Sequence, residues 1–285
     1  MKKLKPFLRV LTVLALIPVV QACSTDLSIT SSAVGDRFQE SIDGKTKPIV
    51  LPRVKDPRHF SFLWLTDMHI RPDKKDYFDK LGNFATKSHA SFVITSGDIT
   101  DEGTSEDYDE VVFKAKQNLP VPLYSALGNH DLYNDGWDEF KDNIGPSTAV
   151  FKFGNTMFMI IDTATCEVGA DQMDWIEDKL DDVDAKHKII FSHICLYNRT
   201  AELPIILCDP DERARLLGLL KKYEVEYFLC GHGHYAEVTK ADGTTHIQGA
   251  TASAWNNPLN GDPEFFNFII NGADLDYERY YFKDY

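Results

Sequence analysis

The stretch that decides the fold reads FSFLWLTDMH at residues 60–69. Its first six residues are mostly apolar, and they give way abruptly to a polar group that contains Asp67 and His69. A run this short and this apolar predicts a strand that is buried on both faces. Asp67 and His69 then follow the carboxyl end of that strand, which is where open α/β sheets bind their ligands.

The same pattern recurs four more times along the chain. Apolar runs at 91–95, 122–126, 188–191 and 227–230 lead into Ser96-Gly97-Asp98, Leu127-Gly128-Asn129-His130-Asp131, Ser192-His193 and Gly231-His232-Gly233-His234. Between these runs lie helical patterns at 76–88, 106–117, 171–180 and 211–223. The alternation of strands and helices predicts an α/β fold.

Two later segments indicate hairpins instead. Residues 148–153 and 156–162 flank Gly154-Asn155, and residues 265–270 and 275–282 flank Asn271-Gly272. Such turn pairs favour antiparallel strands, so we expect the sheets of the core to be mixed.

The polar residues at the five strand ends suit a dinuclear metal centre. Such a centre needs hard carboxylate oxygens, neutral imidazoles and one group that can bridge two ions. Seven residues supply these types: Asp67, His69, Asp98, Asn129, His193, His232 and His234. Each short motif is common by itself, and the prediction depends on their occurring together.

In this order the five blocks resemble the calcineurin-like metallophosphoesterases. The resemblance covers residues 60 to 234 and implies a β-sandwich of two mixed sheets flanked by helices. It also implies the division of the ligands. Asp67, His69 and His234 would hold one ion, Asn129, His193 and His232 would hold the other, and Asp98 would bridge them, with a water or hydroxide between the two ions.

His130 is an additional imidazole that, by the same resemblance, is not a metal ligand. We expect it to bind a phosphoryl oxygen or to protonate the leaving oxygen, with Asp131 orienting its ring. The alternative for Asp131 is a simple turn or helix-cap residue. Tyr133, Asn198 and Arg199 are candidates for contacts with the substrate, although each also fits an ordinary surface loop.

The details of the motifs resemble the bacterial phosphodiesterase-like branch of the family. Purple acid phosphatases have a Tyr where this chain has Asp101, and a Gly where it has His69. The cofactor is therefore expected to be two divalent or trivalent metal ions, either Mn, Fe or Zn. The substrate is left open among phosphomonoesters, phosphodiesters including cyclic nucleotides, and lipid-linked phosphates.

The chain is strongly acidic. It has 30 Lys and Arg against 44 Asp and Glu, for a formal charge of −14. Because nucleic acids are held largely through cationic contacts to phosphate, we expect no nucleic-acid partner. The positive charge that a phosphate ester requires would come locally, from the metals.

The first residues predict export. Residues 1–22 combine a basic start with an apolar run too short to span a bilayer comfortably, as in a signal peptide. Val20-Gln21-Ala22-Cys23 resembles the cleavage box of bacterial lipoproteins, which implies lipidation of Cys23 and anchoring on the periplasmic side of the outer membrane or at the cell surface. The alternative is an ordinary secretory signal cut after Ala22. Residues 23–57 are predicted to be a tether, and residues 58–285 the catalytic domain.

Four cysteines remain beyond Cys23. An exported protein can form disulfides, and Cys195 with Cys208 brackets one loop, so that pair is the expected bridge. The alternative is that all four cysteines are buried thiols.

The sequence thus predicts an exported, lipid-anchored phosphoesterase with two metals. The competing hypothesis is a non-catalytic lipoprotein of the same fold that binds a protein through this face. The oligomeric state is not indicated.

Overall fold

The computed structural model describes residues 33–197 and 206–285. The helices of these residues are α1 Val34–Ile42, α2 Phe78–Ser88, α3 Ser105–Asn118, α4 Trp137–Asn143, α5 Ala170–Asp182 and α6 Pro210–Lys222. The strands are β1 His59–Leu65, β2 Val93–Thr95, β3 Leu123–Ser125, β4 Ala149–Phe153, β5 Thr156–Ile160, β6 His187–Phe191, β7 Tyr227–Cys230, β8 Glu237–Ala241, β9 Thr244–Gln248, β10 Glu264–Asn271 and β11 Asp274–Tyr281. Short 3-10 helices cover His130–Asp135 and Phe282–Asp284.

The strands form two mixed sheets. One has the order β11-β10-β1-β2-β3, and the other has the order β4-β5-β6-β7-β9-β8. In the first sheet β1, β2 and β3 are parallel, and in the second β5, β6, β7 and β9 are parallel. The two predicted hairpins, β4–β5 and β10–β11, are antiparallel as expected. The hairpin β8–β9 was not predicted.

The sheets stack face to face around an aromatic core. Alternate residues of β1 show the layering, because Phe62 and Trp64 point between the sheets while Leu63 and Leu65 point outward. Phe62 packs on Phe158 of the opposite sheet with their ring centroids 5.1 Å apart. Helices α2 and α3 cover the outer face of the first sheet, and α5 and α6 cover that of the second. The prediction of a β-sandwich flanked by helices is confirmed.

Two of the helices begin at a residue whose side chain caps them. Thr104 precedes α3, and its hydroxyl accepts a hydrogen bond from the Asp107 amide. Asp209 caps α6 in the same way, followed by Pro210 at the first helical position. The caps fix the starts of α3 and α6. The four predicted helices agree with α2, α3, α5 and α6 to within two residues at each end.

The structure corrects the predicted tether at residues 34–42. These residues form α1, whose Val34 and Phe38 are buried. Arg37 is also fully buried, and its guanidinium makes a two-point ion pair with Asp162, at 2.8 and 3.1 Å. No strong apolar face indicates this helix from the sequence, because one of its inward residues is a charged arginine. The predicted signal peptide and Cys23 lie outside the described residues. None of the described helices is long and apolar enough to cross a membrane.

The disulfide prediction was wrong in its pairing. The structure joins Cys166 to Cys208 and Cys195 to Cys230. Cys195 follows β6 and Cys230 ends β7, and these strands are neighbours in the sheet. Proximity in the sheet, rather than in the chain, therefore determines the partner of Cys195. The alternative of four buried thiols is wrong as well.

Candidate metal centre

All seven predicted ligands lie together at one edge of the sandwich. Asp67 and His69 follow β1, Asp98 follows β2, and Asn129 follows β3. From the other sheet, His193 follows β6, and His232 and His234 follow β7. Because these strands are parallel within each sheet, their carboxyl ends meet, and the site bridges the two sheets.

Five of these residues have a left-handed backbone. Asp67, His69, Asp98, His232 and His234 have φ between +47° and +66°. This conformation costs free energy in residues with a side chain and persists only where the surroundings enforce it. Here it turns each loop sharply at the strand end and aims the side chain into the site. Such clustering is typical of functional sites.

The first group of side chains comprises Asp67, His69, Asp98 and His234. The Nε2 atoms of His69 and His234 are 3.1 Å apart, and His234 Nε2 lies 3.2 Å from Asp67 Oδ1. One ligand atom from each of the four residues lies within 4.8 Å of the others. Two imidazole nitrogens facing carboxylates at this spacing form a donor set that fits a metal cation.

The second group comprises Asn129, His193, His232 and, again, Asp98. His193 Nδ1 donates to the Ser96 carbonyl at 2.9 Å, which leaves Nε2 facing the site. That Nε2 lies 2.9 Å from Asn129 Oδ1, 3.2 Å from His232 Nδ1 and 3.4 Å from Asp98 Oδ2. Such a convergence of acceptor atoms also fits a cation. Asp98 belongs to both groups, as its predicted bridging role requires.

The charges of the two groups also suit a metal. Burial disfavours ionisation of Asp67, but the charge and hydrogen bond of His234 hold its pKa well below the usual range. Burial lowers the pKa of His232 to about 4 and also lowers that of His69. The carboxylate is therefore charged and these imidazoles are neutral, which are the states that ligate metals. His234 differs, because Asp67 raises its pKa despite burial, so a metal there competes with a proton.

His130 stands beside the first group. Its Nδ1 donates to the backbone carbonyl of Asp101 at 2.6 Å, which leaves Nε2 for the site. Its ring meets that of His69 edge-on, with the centroids 4.6 Å apart. Burial disfavours the imidazolium, but Asp98 and the Asp101 contacts raise the pKa of His130. The side chain is thus oriented toward the site and can carry a proton there.

The structure corrects the role predicted for Asp131. Its carboxylate is fully buried and accepts hydrogen bonds from the Thr100 amide and hydroxyl, at 2.9 and 2.8 Å, and from the Gly128 amide at 2.9 Å. It therefore ties the loop after β2 to the loop after β3. The Asp101 carbonyl, rather than Asp131, holds the His130 ring. Burial and the nearby Asp98 raise the pKa of Asp131 to about 6.

Asp101 lies at the site, and it was not identified from the sequence. Its side chain is largely buried. Its Oδ1 lies 3.3 Å from His69 Nδ1, and its carbonyl orients His130. Asn256 Nδ2 donates to the same Oδ1 at 3.3 Å, and Trp255 Nε1 donates to the His69 carbonyl at 3.0 Å. The signal that could have identified Asp101 is its position three residues after Asp98, where purple acid phosphatases have a Tyr.

Of the three candidate substrate residues, the structure places one at the site. The Tyr133 hydroxyl accepts a hydrogen bond from Asn129 Nδ2 at 3.3 Å, and its ring centroid lies 4.6 Å from that of His130. Asn198 and Arg199 lie outside the described residues.

Gly231 allows the two sheets to meet at the site. A Cβ atom at this position would overlap Thr66 Oγ1 and Asp67 Oδ2. Both side chains are buried, and Thr66 Oγ1 donates to Asp67 Oδ2 at 2.7 Å. The close approach lets the His232 amide donate to the Asp67 carboxylate at 3.1 Å, which joins β7 to β1 across the sandwich.

Comparison with known proteins agrees with this geometry. A family model described as calcineurin-like phosphoesterase matches residues 60–236. The chain is 28% identical over 168 residues to a probable glycerophosphodiester phosphodiesterase of Arcobacter nitrofigilis, covering 54% of this chain and 60% of that protein. It is 27% identical over 199 residues to a probable cyclic nucleotide phosphodiesterase of Xenorhabdus bovienii, covering 61% and 78%.

A solved structure shares the fold at low identity. The purple acid phosphatase PPD1 from yellow lupin (Lupinus luteus) seeds superposes with a TM-score of 0.67 and 17% identity, over 82% of this chain and 53% of that one. The chain thus spans somewhat more than half the length of this phosphatase and of the Arcobacter relative.

Proposed function

Since the chain belongs to the calcineurin-like phosphoesterase family, we propose that it is a metal-dependent hydrolase of a phosphate ester, with its site at the joined edge of the two sheets. The observation that carries the proposal is the convergence of seven ligand side chains from both sheets, with His130 aimed into the same space. A non-catalytic protein of this fold would have no need to keep both the full donor set and this imidazole.

Two metal ions would be held by this donor set. The group of Asp67, His69 and His234 would hold one, that of Asn129, His193 and His232 the other, and Asp98 lies between both groups. When bound, two such ions supply an activated water and neutralise charge on a phosphoryl group. Their identity as Mn, Fe or Zn is left to measurement, because mixed nitrogen and oxygen donors accept all three.

The residues around the metals would bind and protonate the substrate. His130 has its Nδ1 fixed by the Asp101 carbonyl, so its Nε2 can donate a hydrogen bond to a phosphoryl oxygen or a proton to the leaving oxygen. The raised pKa of His130 favours the protonated form that this role requires. Tyr133, next to this ring, is positioned to contact the ester group.

A phosphodiester is the substrate class we propose. Both curated relatives described above are named as phosphodiesterases. The acidic chain would also repel a monoester, with its two negative charges, more strongly than a singly charged diester. Lipid-linked phosphates and cyclic nucleotides belong to the same chemistry.

We also propose that the protein is exported and anchored through a lipid on Cys23. The two disulfides support this proposal, because such bridges persist in oxidising compartments. The competing hypothesis of a protein-binding lipoprotein would keep the anchor and lose turnover.

The test is metal content together with turnover. The chain is purified without chelator, its metals are counted, and hydrolysis of p-nitrophenyl phosphate and bis-p-nitrophenyl phosphate is measured with and without added Mn²⁺. We expect close to two ions per chain, chelator-sensitive turnover and a preference for the diester. Asp98→Ala should lose metal and turnover together, whereas the exposed Asp79→Ala should change neither. Absence of metal after Mn²⁺ is added would overturn the catalytic proposal, and a preference for the monoester would overturn the substrate class.

A further inference from the structure

The Cys195–Cys230 disulfide lies between two loops that carry predicted ligands of the same metal. Cys195 comes two residues after His193, and Cys230 comes two residues before His232. Both cysteines are buried, at 0% and 2% exposure. The bridge is therefore part of the buried interior next to the site, and it is not a link on the surface.

The two loops are also joined by their backbones and by the ligands themselves. The Gly231 amide donates to the His193 carbonyl at 3.0 Å. Beyond this contact, His193 Nε2 and His232 Nδ1 lie 3.2 Å apart, and each is 2.9 Å from Asn129 Oδ1. The distance between the two rings thus depends on how closely the loop after β6 is held to the loop after β7.

One of these loops has a strained backbone. His232 has a φ of +66°, which a residue with a side chain adopts only when the surrounding structure imposes it. Without the covalent link two residues away, relaxation of this backbone would be opposed only by hydrogen bonds and by packing. A metal site tolerates little such movement, because its ligands must be held close to their final geometry.

We propose that the Cys195–Cys230 disulfide is a positioning element that sets the affinity of the metal held by Asn129, His193 and His232. This inference rests on the proposed function, because it presupposes metal at that group. The cysteines do not touch the metal. They act through the two histidines, so loss of the bridge should weaken one metal and leave the metal held by Asp67, His69 and His234 in place.

The chain provides its own control in the second disulfide. Cys166 and Cys208 are 42 residues apart, against 35 for Cys195 and Cys230, so the two bridges constrain the unfolded chain to nearly the same extent. Cys166–Cys208 joins the turn after β5 to the start of α6, and neither cysteine is adjacent to a predicted ligand. A purely stabilising effect would therefore appear equally in both variants.

The experiment compares Cys195→Ala/Cys230→Ala with Cys166→Ala/Cys208→Ala and the wild-type chain. Peptide mapping by mass spectrometry first verifies both bridges in the wild-type protein. Each protein is then stripped of metal, its thermal unfolding is recorded, and Mn²⁺ is titrated in by calorimetry. We expect two Mn²⁺ per chain in the wild type and in the control. In Cys195→Ala/Cys230→Ala, one Mn²⁺ should bind as before and the other at least about tenfold more weakly, which corresponds to about 1.4 kcal/mol.

A second measurement does not depend on the folding of Cys195→Ala/Cys230→Ala. In Cys166→Ala/Cys208→Ala, the bridge between Cys195 and Cys230 is kept while the other one is removed. A phosphine is then used to reduce the Cys195–Cys230 bridge. The phosphine and one water give a phosphine oxide and two thiols, and alkylation counts the thiols released. The same Mn²⁺ titration is then made on the oxidised and reduced forms.

The outcomes separate the two proposals. The positioning role alone is overturned if each of the two ions binds with the same affinity whether or not the bridge is present. It is also overturned if Cys195 and Cys230 are free thiols in the wild type. Equal weakening in both double variants identifies a general effect on stability and also overturns it. If the wild type binds no Mn²⁺ at all, the proposed function fails first, and the positioning role fails with it.

Discussion

The close packing at Gly231 predicts that Gly231→Ala lowers the stability of the protein and weakens metal binding. The added Cβ would overlap Thr66 Oγ1 and Asp67 Oδ2, and it would lie 3.0 Å from the Cβ of Thr66. The φ of Gly231 is not in the left-handed region, so the close approach, rather than backbone strain, is what requires glycine.

The overlap cannot be relieved by a simple side-chain rotation. Thr66 and Asp67 are 1% and 0% exposed. Asp67 is held by the His232 amide at 3.1 Å through its carboxylate, and by the Thr251 hydroxyl at 2.8 Å through its carbonyl. The loop after β7 must therefore move away from β1. Overpacking of this kind costs about 1–3 kcal/mol of stability.

The same movement displaces Asp67 and His232, which belong to different metal groups. If about 1.4–2.8 kcal/mol of that cost appears in metal binding, Mn²⁺ affinity falls by about 10- to 100-fold. The assay is urea unfolding of the metal-free protein together with calorimetric titration of Mn²⁺. Gly218→Ala in α6 is the matched control, because its Cβ would meet nothing within 4 Å. There we expect about 0.5–1 kcal/mol of added stability and unchanged metal binding. A Gly231→Ala protein with wild-type stability and wild-type Mn²⁺ affinity would refute the reasoning.

Three further predictions concern other parts of the molecule. Arg37→Met removes the ion-pair partner of the buried Asp162 carboxylate and should lower the free energy of unfolding in urea by about 3–5 kcal/mol. The exposed Arg58→Met is the control and should change it very little. A decrease below about 1 kcal/mol for Arg37→Met would contradict the importance of this ion pair. Burial lowers the pKa of His246 to about 4, so its contribution to stability is complete above about pH 6.5 and is lost as the pH falls toward 4, by at most about 3 kcal/mol. His246→Phe should make the free energy of unfolding depend less on pH in that range. An unchanged dependence on pH would show that another group titrates. His130→Ala should keep both metals and lose at least about 100-fold in kcat, and normal turnover would exclude His130 as the proton donor.

The sequence predicted those parts of the fold whose cause is local. Strands such as β1 and β7 could be identified because short apolar runs end abruptly in polar residues. The seven ligands could be identified because their chemistry and order are both unusual. The β8–β9 hairpin was missed although Asp242-Gly243 is a turn pair, because its strands alternate weakly and two residues of β8 are exposed.

The errors share a physical reason, which is that the interacting partner is distant in the sequence. The place of α1 depends on Arg37 meeting Asp162, and these residues are 125 positions apart. Cys195 pairs through the sheet rather than across its own loop. Asp131 follows His130 in the chain, but the 3-10 turn directs its carboxylate toward the backbone at Thr100 and Gly128. Adjacency in the sequence was a poor guide to contact in each case.

The burial of α1 changes how far the folded protein could extend from a membrane. If Cys23 carries a lipid, as proposed, a free tether as far as residue 57 would reach roughly 115 Å when fully extended. Because the fold already begins at Val34, only about ten residues separate it from Cys23, and their maximum span is about 35 Å. That distance is comparable to the thickness of a bilayer's hydrocarbon core. The anchored protein would then work as a surface-bound hydrolase whose accessible esters are those presented at, or diffusing along, the membrane that holds it.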